Sequence, residues 1–368
     1  ILLIAPSDRE AEQYFETISF FLGKDRQDLD APLTRKVSYF PSRTAHRAQS
    51  LGKMEATARR IETLYSLRTA TSSILVLTSA TALLECLAPP EILAGHVEYR
   101  VKGEEIDIEA LCRRLVDRGY YPVSLVEEYG DISRRGGVLD IYAPMYRWPL
   151  RLEFFGDELE SIRPFHPSSQ RSLGSIEDVL LLPASEIIMD AEARERAQEA
   201  IYSGVREGLL TPAAGNVWIE RIQEGFQNDA FESVFPIFFE KTATLLDYLD
   251  PRTILFWHDI DRSRMETAEY YWKKCRDWAE RPSPNEWQRP PEELFEHPER
   301  VHENAGRFQQ VWINALVEPS GPSTVLDVGT RSHSELNLAI RSHKTRKSSW
   351  SPSRCSFRNG RRSAPHPS

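Results

Sequence analysis

The sequence predicts an α/β fold, a parallel-sheet domain interrupted by a small α+β unit, and three observations carry that prediction. Residues 1–88 alternate short apolar strands with amphipathic helices. Beyond Pro90 the texture changes to short strand-like runs separated by glycine turns. A lone apolar run, Thr253-Ile254-Leu255-Phe256-Trp257, then reappears inside a mostly helical stretch. Strands alternating with helices imply a parallel sheet covered on both faces.

In the first segment, residues 1–5 read as a buried strand. Ser7-x-x-Glu10 is a capping box that opens a helix with apolar Tyr14, Ile18, Phe21 and Leu22. A strand at 37–40 ends at Pro41. A helix over 54–67 carries Ala58, Ile61 and Tyr65 on one stripe, and 74–78 is a continuous apolar strand. Ser79 opens a short helix that Pro89-Pro90 stops. The middle segment predicts a strand at 97–101, a helix over 107–118 closed by Gly119, and strands at 122–126, 138–142, 150–155 and 158–165. Gly136-Gly137 and Gly156-Asp157 supply turns for a meander. Helices dominate from about 186 to 316, including 191–207 and 262–279. The strand at 253–257 would leave a face bare on its own, so it is expected to return to the first sheet. The predicted organisation is residues 1–92 as the first half of the α/β domain, 93–185 as the inserted unit, 186–320 as the second half and 321–368 as a basic tail.

Composition narrows the function. The chain has 368 residues, and no window approaches the ~20 apolar residues a bilayer crossing requires. The apolar start lacks a basic leader and a cleavage site, which argues against a signal peptide and for a sequence beginning inside a fold. Cys86, Cys112, Cys275 and Cys355 are never paired at C-x-x-C spacing, which suits a reducing cytoplasm. The net charge of −9 is uneven: residues 331–368 hold nine basic and one acidic residue, leaving −17 on the other 330. A body that acidic is a poor non-specific binder of nucleic acid.

Catalytic readings find little support. No G-x-x-x-x-G-K-[ST] loop occurs; Gly23-Lys24-Asp25 and Gly52-Lys53-Met54 lack the upstream glycine and the hydroxyl residue. In Glu153-Phe154-Phe155-Gly156-Asp157-Glu158 the acids follow a glycine, which is hairpin chemistry and not a metal box. The nine histidines include no H-x-x-x-H pair, and His297 with His302 diverge on a helix. Neither a cofactor nor a metal site is expected.

The run Leu150-Arg151-Leu152-Glu153-Phe154-Phe155 is more informative. Strand alternation places Leu150, Leu152 and Phe154 on one face, with Arg151, Glu153 and Phe155 on the other. The first set is a core; the second puts an aromatic on the polar side near an arginine, and those residue types are enriched at interface hot spots. Upstream, Arg134-Arg135 precede a glycine turn that can present one of them. On spacing alone, a docking surface and a solvated face remain equally open.

These residues also carry a resemblance. Arg134-Arg135-Gly136-Gly137-Val138-Leu139-Asp140-Ile141-Tyr142, then residues 149–163, Gln170-Arg171-Ser172 and Leu181-Leu182-Pro183-Ala184, resemble the UvrB-type interaction domain. That domain is shared by the excision-repair protein UvrB and the transcription-repair coupling factors. Tyr39-Phe40-Pro41 leads directly into residues 42–49, with no room for the tyrosine-rich hairpin of UvrB, which favours the coupling factors. The segments around Gly225-Phe226, 235–239 and 245–249 resemble their second half-domain.

The resemblance implies a degenerate, helicase RecA-like half as the parallel-sheet domain. It also implies recruitment of UvrA in transcription-coupled nucleotide excision repair, with Arg135, Arg151 and Phe155 at the UvrA-contacting positions. Both arginines would pair with acidic groups, and Phe155 would fill an apolar recess. ATP, Mg²⁺, DNA and RNA polymerase would engage only the translocase motor and polymerase-binding domain of full-length members, which this sequence lacks. The chain is thus expected to be a cytoplasmic, monomeric, non-enzymatic fragment without membrane contact. The basic tail is either an off-frame end or a short nucleic-acid binder. The rival assignment is a UvrB-like damage-binding component.

Overall fold

The computed structural model describes residues 1–22, 36–45, 52–224, 229–280 and 287–314, all within one compact unit, Ile1–Leu316. Gly23-Lys24-Asp25, Gly225-Phe226 and the basic tail over 321–368 lie outside the described residues.

The chain opens with β1 (Leu2–Ala5) and α1 (Asp8–Leu22), followed by β2 (Val37–Phe40), α2 (Lys53–Thr69) and β3 (Leu75–Ser79). Ser7 caps α1 as expected, its hydroxyl accepting from the Glu10 backbone N–H at 3.4 Å, but it also donates to the Glu10 carboxylate at 2.7 Å, a side-chain bond in place of the reciprocal backbone bond of a capping box. Two expectations need correction. Phe21 and Leu22 are exposed at the C-terminal end of α1, whereas Tyr14 and Ile18 pack against the sheet. Pro89-Pro90 does not stop a helix from Ser79. A 3-10 turn at Thr81–Leu84 ends before it, and Pro90 instead opens α3 (Pro90–Gly95), where its missing N–H costs nothing.

The middle region holds β4 (Glu98–Val101), α4 (Ile108–Asp117), β5 (Tyr121–Pro122), β6 (Asp131–Arg135), β7 (Val138–Ile141), β8 (Leu150–Phe155), β9 (Glu158–Pro164) and β10 (Asp178–Leu181). The Asp107 carboxylate caps α4 by accepting from Glu109 and Ala110 N–H. Then come α5 (Ala191–Arg206), α6 (Pro212–Glu224), β11 (Ile254–His258), α7 (Ile260–Ala279), α8 (Pro291–Leu294), α9 (Pro298–Ala305) and β12 (Gln309–Ile313). Strands β6, β10 and β12 carry no clear alternation and are additions to the sequence reading, and β5 is shorter than expected.

The lone strand returns as anticipated. Every pairing in the main sheet is parallel, in the order β12-β11-β1-β3-β2, with Leu3 beside Phe256 on one side and Leu77 on the other. Ala11 of α1 packs with Ala5, Val37, Tyr39 and Leu77 on one face. Ile61 and Leu64 of α2, Tyr271 of α7 and Val301 of α9 pack with Leu2, Ile4, Val76, Leu255 and Trp257 on the other. A second sheet, ordered β5-β6-β7-β8-β9, is antiparallel from β6 onward. Leu111 and Leu115 of α4 cover its inner face against Leu139, Leu150 and Leu152. Burial of a leucine is worth about 1.5–3 kcal/mol, so this face anchors the sheet.

One ionic network binds residues 41–85 to the segment that follows β10. Arg60, on α2, is 1% exposed. Its Nε donates to Glu186 at 2.5 Å, its Nη2 to Glu186 at 3.2 Å, and its Nη1 to Glu85 at 2.7 Å and to the Pro41 carbonyl at 2.6 Å. Arg43 adds a 2.9 Å bond to Glu186, and the Arg60 guanidinium lies 4.3 Å from the Phe40 ring centre.

Candidate docking face

The outer face of the second sheet is set by register. Arg135 lies opposite Val138, Val138 opposite Glu153, and Asp140 opposite Arg151. Arg151 in turn lies opposite Arg163, and Glu153 opposite Ser161. Directly opposed residues in an antiparallel pair share a face. Arg135, Arg151 and Phe155 therefore all reach the same face, as the alternation of β8 predicts. Arg134 goes to the other side and pairs with Glu109 of α4 at 3.2 Å.

Two tight turns hold this register. Gly136 has φ +61° and Gly156 φ +62°, values that glycine adopts without strain. At Gly137 the requirement is space: a Cβ there would lie 2.7 Å from the Phe154 carbonyl oxygen. The β8–β9 pairing shifts between Glu153 and Phe154, a bulge beside the turn. Gly156-Asp157 forms the β8–β9 turn, so Asp157-Glu158 is hairpin chemistry.

The three predicted residues differ in their freedom. Phe155 is 80% exposed, unusual for a phenyl ring on a strand. Arg135 is exposed, and its Nη2 donates to the Ser124 carbonyl at 2.5 Å. Arg151 is already engaged. Its Nε and Nη2 donate to the two carboxylate oxygens of Asp140 at 2.7 and 2.8 Å, and Nη2 also donates to Gln170 Oε1 at 3.2 Å. Its guanidinium stacks 4.8 Å from the centre of the buried Phe165 ring. The hydrogen bonds to Asp140 come first among the causes that raise the Arg151 pKa. Nearby, Arg163 pairs with Glu153 at 3.2 Å, and Ser161 donates to Glu153 at 2.5 Å.

Asp140, Phe165 and Gln170 were missed as members of this face. Asp140 shares its strand face with Val138, so an acid opposite an arginine is legible once the register is known. The β7–β8 connection is too long to fix that register from sequence. Among the described residues no group of His, Cys, Asp and Glu is arranged to hold a metal ion, and no helix is long and apolar enough to cross a membrane.

Residues 100–187, which contain this whole face, match the family model of the UvrB interaction domain. The chain is 30% identical over 279 residues to a transcription-repair-coupling factor of Myxococcus xanthus, covering 74% of this chain and 23% of that protein. The corresponding figures are 32% over 218 residues for the Bacillus subtilis factor, with 56% and 18% covered, and 36% over 172 for that of Escherichia coli, with 43% and 15% covered. The chain is thus similar in sequence to part of the transcription-repair-coupling factors. It spans less than a quarter of the length of these curated relatives. The family resemblance carried by Arg134–Tyr142 and residues 149–163 is borne out, as is the α/β class with a parallel sheet, to which β12 adds a fifth strand.

Proposed function

We propose that the outer face of the β6–β9 sheet docks a UvrA-type protein, and that the chain acts as a recruiting module in transcription-coupled nucleotide excision repair. The observation that carries this reading is Phe155, a ring held out in water at the end of β8 on the face it shares with Arg135 and Arg151, inside the matched interaction domain. Leaving an aromatic so exposed forgoes a burial of about 1.5–3 kcal/mol, which association with a partner can recover. Arginines on the same face add directional contacts, and this combination of residue types is that of a hot spot surrounded by weaker contacts. The inner face of the same sheet is closed by α4, so docking leaves the core undisturbed.

The work done here is binding, not catalysis, and the docking needs neither ATP nor Mg²⁺. A cytoplasmic setting follows from the role. The test is a titration of a UvrA-type protein with the wild type and with Arg135→Ala, Arg151→Ala and Phe155→Ala. Saturable binding by the wild type, weakened in each variant, is expected. Unaltered affinity in all three would reject the face, and no binding by the folded wild type would reject the function.

A further inference from the structure

Arg151 is held more tightly than a contact residue on an open face needs to be. An arginine side chain carries five N–H donors. In Arg151 the Nε donor and both Nη2 donors are occupied, the first two by Asp140 and the third by Gln170. Asp140 is itself buried, at 3% exposure, so it is a fixed acceptor inside the sheet face. Among the described contacts, Nη1 has none.

Gln170 is built for this contact. Its backbone is left-handed, with φ +57°, a conformation that costs a non-glycine residue roughly 1–2 kcal/mol and persists where surrounding contacts enforce it. Its backbone N–H donates to the His166 carbonyl at 2.7 Å, closing a tight loop after β9. Its side-chain Nε2 donates to the Pro167 carbonyl at 2.7 Å. That bond fixes which end of the amide meets Arg151, because the flipped amide would set donor against donor and acceptor against acceptor. The Phe165 ring floors the guanidinium plane.

We propose that Gln170 and Asp140 are positioning residues for partner recognition: they clamp Arg151 so that only its Nη1 edge meets the partner. This rests on the docking reading above and deepens it. The clamp restricts the chemistry Arg151 can recognise. A carboxylate gripped by two parallel bonds would need Nη2, whether it approached the Nε/Nη2 edge or the Nη1/Nη2 edge, and Nη2 is taken. The group that fits is a single oxygen acceptor approaching Nη1, a backbone carbonyl or one carboxylate oxygen. Because the side chain is ordered before binding, its rotamer entropy is not lost on association.

The informative variant is Gln170→Gly. Glycine tolerates the left-handed backbone, so the fold is preserved while the Gln170 arm of the clamp is lost and the two bonds to Asp140 remain. Its thermal midpoint is expected to be unchanged or raised, while its dissociation constant for a UvrA-type protein rises about two- to three-fold, the low end of the range for ordering one long side chain, because Asp140 still holds the guanidinium. In an Arg151→Ala background the same change should have no further effect. Wild-type affinity in Gln170→Gly, alongside weakened binding by Arg151→Ala, would overturn the clamp and leave the docking face standing. An equal loss in both backgrounds would make Gln170 a contact residue and overturn its positioning role. If the wild type does not bind, the docking reading fails and the clamp is decided on the free protein. Separate, slowly exchanging Arg151 Nη proton signals should then average in Gln170→Gly, and identical signals in both proteins would overturn it.

Discussion

Arg60 and Arg151 are built alike and serve opposite ends. Each guanidinium lies against an aromatic ring, 4.3 Å from Phe40 in one case and 4.8 Å from Phe165 in the other, and each is gripped by carboxylate oxygens. The difference is what is left over. All three nitrogens of Arg60 are hydrogen-bonded within the chain and its side chain is sealed from solvent. Among the described contacts, Arg151 keeps one nitrogen uncommitted, on a face with an exposed phenyl ring. A satisfied, buried ion network specifies how segments of the fold meet; the same parts with one edge open can specify a partner.

That contrast predicts a gradient of effects. Arg60→Ala leaves Glu85 and Glu186 buried with Arg43 as the remaining partner, and should cost about 3–5 kcal/mol of unfolding free energy in urea denaturation. A loss below 1 kcal/mol would mean the network is dispensable. The acid side of the same network gives a pH test. Burial alone would push the Glu186 carboxyl up, but the Arg43 and Arg60 guanidinium groups bring it down to about 2, against an ordinary 4.5. A carboxylate held low stabilises the fold above its unfolded pKa and loses that contribution as pH falls towards its folded one. The stability advantage of wild type over Glu186→Gln should therefore shrink by about 3 kcal/mol between pH 4.5 and pH 2. An advantage independent of pH in that window would refute the pairing.

Smaller effects belong to the docking face. Gly137→Ala places a Cβ against the Phe154 carbonyl and should destabilise by about 1–3 kcal/mol through a shifted turn. It should also weaken docking by displacing Arg135 relative to Phe155. A fully stable Gly137→Ala protein would show that the turn can widen without cost. Phe155→Ala should change unfolding free energy by no more than about 0.5 kcal/mol, as expected for an exposed side chain without structural partners.

The same contrast explains what was legible in the sequence. The face of β8 can be read because burial of Leu150 and Leu152 fixes the parity of a six-residue strand, and Arg151 and Phe155 follow. The return of β11 to the first sheet can be read because an apolar strand must have neighbours. Strand β12 was missed because its Gln309-Gln310 start and exposed Trp312 look like neither a buried nor an alternating strand. Asp140 and Gln170 were missed for another reason. Their roles depend on cross-strand register and on a loop that closes after β9, and neither leaves a periodic trace. The Arg60 network joins residues up to 143 positions apart, so no local pattern announces it. Local periodicity reports which face a side chain takes; which groups meet across that face is a property of the assembled sheet.

The most direct test of the account is the affinity of a UvrA-type protein for wild type and Phe155→Ala, measured by calorimetry on proteins shown to have the same unfolding free energy. The account predicts a loss of about 2 kcal/mol or more in binding, roughly thirty-fold, at unchanged stability. Equal affinities of the two proteins would contradict it.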